Sequence, residues 1–283
     1  MTIARTTADI AALAQLACLL EVSAPKPGNV SPGRPFADLT YEDFLTSAVA
    51  IGPAFARVTD RPVGETIRQA IDVTASWTKT NTNLGIVLLL APLARAAANA
   101  AGGDMRDALR RVLEDTSVDD AREVYAAIRR ARPGGLGQSE TQDVAGEPDV
   151  TLLEAMRLAA SRDGIAREYA TNFAVTFERA APALARARAD GLSWSDAIVE
   201  TFLSLLAYSV DTHVVRRTGI AAAERVSALA RETLEKGGVR SAEGRKAVDE
   251  MDRAMRDARN SSNPGTTADL TAAAIFVTLV SYE

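Results

Sequence analysis

The chain has 283 residues, with 32 Lys and Arg against 37 Asp and Glu, a net charge of −5. Its 47% hydrophobic content, with only 18 glycines and 11 prolines, excludes a disordered, collagenous or low-complexity chain. An acidic balance also lacks the diffuse basic surface that phosphate neutralisation requires, so nucleic acid is not an expected partner.

Aromatic residues make up only 5% of the chain, and alanine supplies much of the apolar content. Small side chains let helices approach closely, which favours an all-α fold over a β-sandwich. At about 150 residues per domain the length permits one large domain or two small ones. No linker separates independently patterned halves, so residues 1–283 are expected to form a single multi-helix domain. Such an alanine-rich domain, with apolar surface to spare, is compatible with a homodimer. A single cysteine, Cys18, excludes an internal disulfide, and a single histidine, His213, excludes a histidine-rich zinc site. Cys18 falls within an apolar helical repeat and reads as a core thiol. The N-terminus lacks the basic and apolar regions of a leader peptide. The longest apolar run, Leu84 to Ala94, is about half what a membrane span needs. A soluble, cytoplasmic protein with no membrane partner is the expectation.

In chain order, Ile10, Leu13, Leu16, Ala17 and Leu20 line one face of an opening helix. The cluster Pro25-Lys26-Pro27-Gly28 stops it. Thr40 with Asp43 predicts an N-terminal cap ahead of Phe44, Leu45, Ala48 and Val49. Pro62 suits the first position of the next helix, which carries Val63, Ile67, Ala70, Ile71 and Trp77. Leu84 to Ala100 is apolar nearly all round and reads as a central buried helix, bent near Pro92. Thr151 with Glu154, and Ser193 with Asp196, repeat the capping signature. The last helix is expected from about Thr267 to Val280. Hairpin signals are almost absent.

Four segments break the helical pattern: Ala24–Asp38, Thr78–Gly85, Arg132–Asp149 and Asn260–Thr267. In the first, two prolines and a glycine fix Lys26 stiffly beside Asn29, as a cation held against phosphate would be, or as a solvated lysine at a helix stop. The second is a polar run of Thr78, Lys79, Thr80, Asn81, Thr82 and Asn83 before Leu84-Gly85. Hydroxyls and amides at a helix start hold anions, although one such residue suffices for a cap. The third carries Glu140, Asp143, Glu147 and Asp149, which are suited to Mg²⁺ or simply solvated. The fourth, Asn263 to Asp269, starts a helix with Asp269 in its first turn. Asp211-Thr212-His213 follows another apolar helix. The shared chemistry is that of a polyphosphate pocket with carboxylates for metal, built at helix ends.

Taken in order, these segments resemble the triphosphoribosyl-dephospho-CoA synthase family over nearly the whole chain. Glu21-Val22-Ser23-Ala24-Pro25-Lys26-Pro27-Gly28-Asn29-Val30 is similar to its EV-x-TPKPGLV segment. Asp38 falls in its H-x-DM, Asn81-Thr82-Asn83-Leu84-Gly85 in NTHKG and Asp211-Thr212-His213 in DTN. Lys236-Gly237-Gly238-Val239-Arg240 resembles KGGIR, and Asn263 to Leu270 resembles SPGGSADL. The chain departs from the pattern at Phe36, which replaces a histidine, at Asn83-Leu84, which replace His-Lys, and at His213, which replaces an asparagine. The ARGEA segment has only a loose counterpart around Glu140.

The resemblance implies an all-α fold and transfer of the triphosphoribosyl group of ATP to the 2′-hydroxyl of 3′-dephospho-CoA, with release of adenine. Mg²⁺ would accompany ATP. Lys26, Gly28, Asn29, Asn81, Thr82, Asn83, Gly85 and His213 are the expected substrate- and phosphate-binding residues. Asp38, Glu140 and Asp211 are the expected catalytic base or metal ligands, with Asp43 and Asp269 as further metal ligands. The departures leave two alternatives: a related ribosyl transferase with another acceptor, in pterin-type one-carbon cofactor synthesis, and a non-catalytic helical binding module.

Overall fold

The computed structural model describes residues 6–100, 103–134 and 142–281. Among these residues the chain is helical throughout, and its one β-feature is an isolated bridge between Ser31 and Arg34. The first half comprises α1 (Thr7–Ser23), α2 (Tyr41–Ala50), α3 (Gly52–Phe55), α4 (Val63–Trp77), α5 (Leu84–Asn99), α6 (Met105–Glu114) and α7 (Val118–Ala131). The second comprises α8 (Leu152–Ala159), α9 (Gly164–Ala170), α10 (Ala181–Ala189), α11 (Trp194–Tyr208), α12 (Thr212–Thr218), α13 (Ile220–Glu235), α14 (Ala242–Met255) and α15 (Gly265–Ser281).

Local chemistry sets most of these boundaries. Thr40 and Asp43 form the expected capping box at α2, as do Thr151 and Glu154 at α8, and the Ser193 side chain caps α11. Each reciprocal cap satisfies helix-start donors that would otherwise be unpaired, and its loss costs about 1 kcal/mol. Pro62 lies one position earlier than expected, at the cap of α4, where its missing N–H costs nothing.

The core is organised around α5 and α15. Val87, Leu89, Leu90 and Leu93 of α5 are fully buried, as are Ala272, Ala273, Ile275 and Phe276 of α15. Each of the larger side chains contributes about 1.5–3 kcal/mol by leaving water. α15 packs against α1, α5, α10 and α11, so small residues on its surface let several helices converge. Pro92 sits inside α5 and cannot donate to the Leu88 carbonyl one turn earlier. The buried Tyr169 hydroxyl donates to that carbonyl instead, at 2.6 Å. Cys18 is buried in the same core, and burial pushes its thiol well above the usual range, so it behaves as a small apolar group. No single helix among the described residues is long and apolar enough to cross a membrane.

Candidate active site

The four interruptions of the helical pattern meet around one cavity of about 1280 Å³. Its wall includes Asn29, Phe36 and Asp38 from the first, every residue of Thr78–Gly85, Arg132 and Asp143 from the third, and Asn263, Gly265 and Thr266 from the fourth. α5 and α15 both begin there, so the positive ends of two helix dipoles face the same space, while the Leu84, Gly265 and Thr267 N–H groups are already taken by Asn81, Asn263 and Asp211.

Hydrogen bonds hold the Thr78–Gly85 segment in place. The Asn83 amide donates to the Thr74 hydroxyl at 3.2 Å, the Leu84 N–H donates to Asn81 Oδ1 at 3.0 Å, and Thr82 shares a hydroxyl contact with Ser47. Asn83 therefore ties the turn to α4 and does not cap α5 with its side chain. Gly85 is a glycine of necessity: a β-carbon there would stand 2.0 Å from Asp269 Oδ2. The close approach of α5 to Asp269, which lies just past the first turn of α15 and not within it as expected, depends on that missing carbon.

The expected carboxylates divide sharply. Asp269 lines the cavity and has no hydrogen bond or ion pair among the described residues. Burial, then the negative charges of Glu21 and Asp211, push it well above the ordinary carboxylate range. Asp211, in contrast, does not line the cavity and is saturated. Its Oδ1 accepts the N–H groups of His213 (2.8 Å) and Val214 (3.0 Å), and its Oδ2 accepts the N–H and hydroxyl of Thr267. Burial raises its pKa, and those four bonds oppose the rise. The structure thus places Asp211 as a clamp between α12 and α15, in place of the base or metal ligand expected from its motif. Asp43 is likewise occupied, as the capping partner of Thr40, and lies off the cavity wall. Asp38 is exposed on the cavity rim. Glu140 lies outside the described residues. The structure does not gather the expected metal set: no group of three His, Cys, Asp or Glu among the described residues is placed to hold an ion. The donor set among the described residues does not fit a resident metal.

Lys26 also departs from expectation. It is 1% exposed, forms an ion pair with Glu21 Oε1 at 3.0 Å, and donates to the carbonyls of Glu21 and Ala24. All three of its protons are engaged inside the fold, so it anchors Glu21 in the cavity wall and does not reach the cavity itself. Gly28, at φ +73°, donates its N–H to Asp252 at 2.8 Å, and Arg256 donates to the Asn29 carbonyl at 2.6 Å. These bonds strap the Pro25–Asn29 turn to α14 and leave Asn29 on the wall. The Lys236–Arg240 segment is structural as well, since Glu200 accepts the Val239 N–H and pairs with Arg240.

Beyond Lys79 of the polar run and Arg132 at the start of the third interruption, the cavity's positive charge comes from residues the motifs did not single out. Lys79, Arg130, Arg132, Arg162, Arg216, Arg217 and Arg259 all line it, in a chain that is acidic overall. Arg216 pairs with Asp163, and Arg217 donates to the Arg259 carbonyl at 2.7 Å. His213 lines the same region, against Gly265. Burial, then Arg216 and Arg217, lower its pKa to about 4, so at neutral pH it offers an N–H donor without charge.

A helical cavity where two helix starts converge, lined by six arginines and one unpaired, largely buried carboxylate, has the chemistry to hold phosphorylated ligands. The comparisons agree and are more specific. Residues 7–283 match the family model described as ATP:dephospho-CoA triphosphoribosyl transferase, and the chain belongs to that family. It is 30% identical over 268 residues to the 2-(5''-triphosphoribosyl)-3'-dephosphocoenzyme-A synthase of Pectobacterium atrosepticum, covering 88% of this chain and 81% of that protein. A Pseudomonas savastanoi pv. phaseolicola protein named "Probable 2-(5''-triphosphoribosyl)-3'-dephosphocoenzyme-A synthase" is 29% identical, over 89% of this chain and 84% of its own length. Among solved structures, one named "putative triphosphoribosyl-dephospho-coA synthase", from Archaeoglobus fulgidus, matches with a TM-score of 0.65 and 28% identity. That match covers 83% of this chain and 98% of the other. The all-α fold, the transferase class and the family all follow.

Proposed function

We propose that this chain transfers the triphosphoribosyl group of ATP to 3′-dephospho-CoA, with Asp269 as the group that accepts the proton of the attacking hydroxyl. The observation that carries this assignment is the state of Asp269. It is the expected carboxylate that faces the cavity from a largely buried position and has no hydrogen bond or ion pair among the described residues.

In the reaction the 2′-hydroxyl of dephospho-CoA forms a bond to the ribose C1′ of ATP as the bond from C1′ to the adenine N9 breaks. The hydroxyl loses a proton and adenine gains one, so the transfer is proton-neutral overall. Positive charge develops on the ribose in an oxocarbenium-like transition state, as in glycoside chemistry. A carboxylate held near that carbon stabilises it and takes the proton; the raised pKa of Asp269 brings its affinity for that proton nearer to the working pH. Arg216 and Arg217, with the first turns of α5 and α15, suit the triphosphate. Neutral His213 supplies an N–H donor without repelling the charged centre. Mg²⁺ enters as part of the substrate, carried on the triphosphate of ATP, since the described residues do not form a cage for it.

The test is a mass-spectrometric assay with Mg²⁺, ATP and 3′-dephospho-CoA, scoring free adenine and the triphosphoribosyl adduct together. Asp269→Asn should lose about 10²–10⁴-fold in turnover and keep its thermal unfolding profile. Turnover within threefold of the parent in Asp269→Asn would remove the assignment of the base. Adenine release without the adduct would point to a different acceptor.

A further inference from the structure

The reaction must seat two nucleotides, each with a phosphate chain, and the cations of the cavity wall stand on different elements. Arg216 and Arg217 stand on α12, beside His213 and the start of α15. Lys79 and Arg130 stand elsewhere, at the ends of α4 and α7. These two helices run side by side in the same direction. At their starts the Gly64 N–H donates to Asp120 at 2.7 Å, and near their ends Arg130 meets Asp72 at 3.8 Å. They therefore finish at the same edge of the cavity. Trp77, the last residue of α4, is on the cavity wall at this edge and is 71% exposed. An indole left that open makes no contribution to the core, and Lys79 beside it has no hydrogen bond or ion pair among the described residues.

We infer that Trp77, Lys79 and Arg130 form a binding site for the adenosine-diphosphate part of the acceptor, separate from the donor's phosphate site at Arg216 and Arg217. The inference rests on the transfer reading and adds to it a place for each substrate. Geometry of the reaction decides which nucleotide goes where. The donor must bring its ribose C1′ and its departing base to Asp269 and His213. The acceptor brings only one hydroxyl to that point, keeps its base throughout, and has a long pantetheine arm that has to run outward. A flat aromatic face at the open edge, flanked by two cations, matches a retained base and its diphosphate.

Trp77 and Trp194 are the only tryptophans, and Trp194 lies off the cavity under the Arg188 guanidinium, at 4.9 Å. Trp194→Phe therefore leaves a chain whose indole fluorescence reports on Trp77 alone. We expect 3′-dephospho-CoA to quench it saturably and Mg²⁺-ATP to leave it unchanged. Steady-state kinetics give a second reading. Trp77→Ala should raise the KM for the acceptor about tenfold, the size of one stacking contact, with the KM for ATP and kcat within about twofold. Trp77→Phe should restore most of that loss. Quenching by ATP, or a rise in the KM for ATP that matches the rise for the acceptor, overturns the assignment. Turnover by the parent chain with a silent Trp77 also overturns it while leaving the transfer intact. Acceptor-specific quenching in a chain that makes no adduct supports the site and removes the transfer reading.

Discussion

The carboxylate of Asp211 accepts both the backbone N–H and the hydroxyl of Thr267, each at 2.7 Å, and so joins the starts of α12 and α15. The hydroxyls of Thr212 and Thr266 meet at 3.1 Å in the same junction, and Thr212 also accepts the Gly164 N–H at the start of α9. Three helix starts are thereby held in register behind Asp269.

From this clamp follows the first prediction. In Asp211→Asn one oxygen becomes an NH₂ that faces N–H donors, and a buried donor goes unpaired at a cost of about 1–3 kcal/mol for each bond lost. The variant should unfold at lower urea than the parent. Its residual activity should track the folded fraction, unlike Asp269→Asn, which should stay folded and inactive.

Lys26 gives the second. Replacing it by Met leaves the Glu21 carboxylate buried without its counter-ion, a loss of about 3–5 kcal/mol. Changing Glu21 to Gln in the same chain should recover part of that loss in a urea titration. Nucleotide affinity of the folded fraction should fall less in Lys26→Met than in Arg217→Ala, which removes a charge from the cavity wall itself.

A third concerns Gly85. Alanine ordinarily favours a helix by up to about 1 kcal/mol over glycine. At position 85 the added carbon meets the Asp269 carboxylate, so Gly85→Ala should move that side chain. We expect adenine release to drop at least about tenfold, consistent with a displaced proton acceptor, with no gain in stability.

The fourth is a pH effect. The folded state holds His213 near a pKa of about 4, below its usual value of 6.5, so folding favours the neutral ring. The stability it contributes is complete above about pH 6.5 and is lost as pH falls toward 4, to a limit of about 3 kcal/mol. His213→Asn should flatten the stability profile across that interval relative to the parent, as read by chemical denaturation at several pH values. Equal slopes in the two proteins would show that the ring is not held neutral.

Much of this architecture was legible in the amino-acid sequence because its signals are local. Thr40 and Asp43, or Thr151 and Glu154, announce a helix start within four residues, and the apolar run from Leu84 marks the centre of the core. The four breaks in periodicity located the cavity for the same reason. Roles that depend on distant partners were not legible. Asp211 looks like any acid after an apolar helix until Thr267, 56 residues on, is seen to fill its second oxygen. Lys26 between its prolines looks like a presented cation, and only folding shows Glu21 reaching it. The arginines of the cavity escaped notice because Arg130 and Arg216 stand in the last turns of helices, where cations are common for dipole reasons alone. The π-helical turn Thr176–Ala180, whose start is held by the buried Glu168, left no periodic signature either.

The convergence of α5 and α15 on the cavity has a bearing on how such a site diversifies. Under the proposed function, part of the attraction for phosphate comes from the helix dipoles, whose peptide groups neither titrate nor disappear when a side chain is replaced. The chain has Asn83 and Leu84 where its family pattern has histidine and lysine, yet both helix starts still face the same space. In the proposed site, the side chains around the mouth, and with them the choice of acceptor, can be exchanged while the dipoles of both helices still favour a triphosphate.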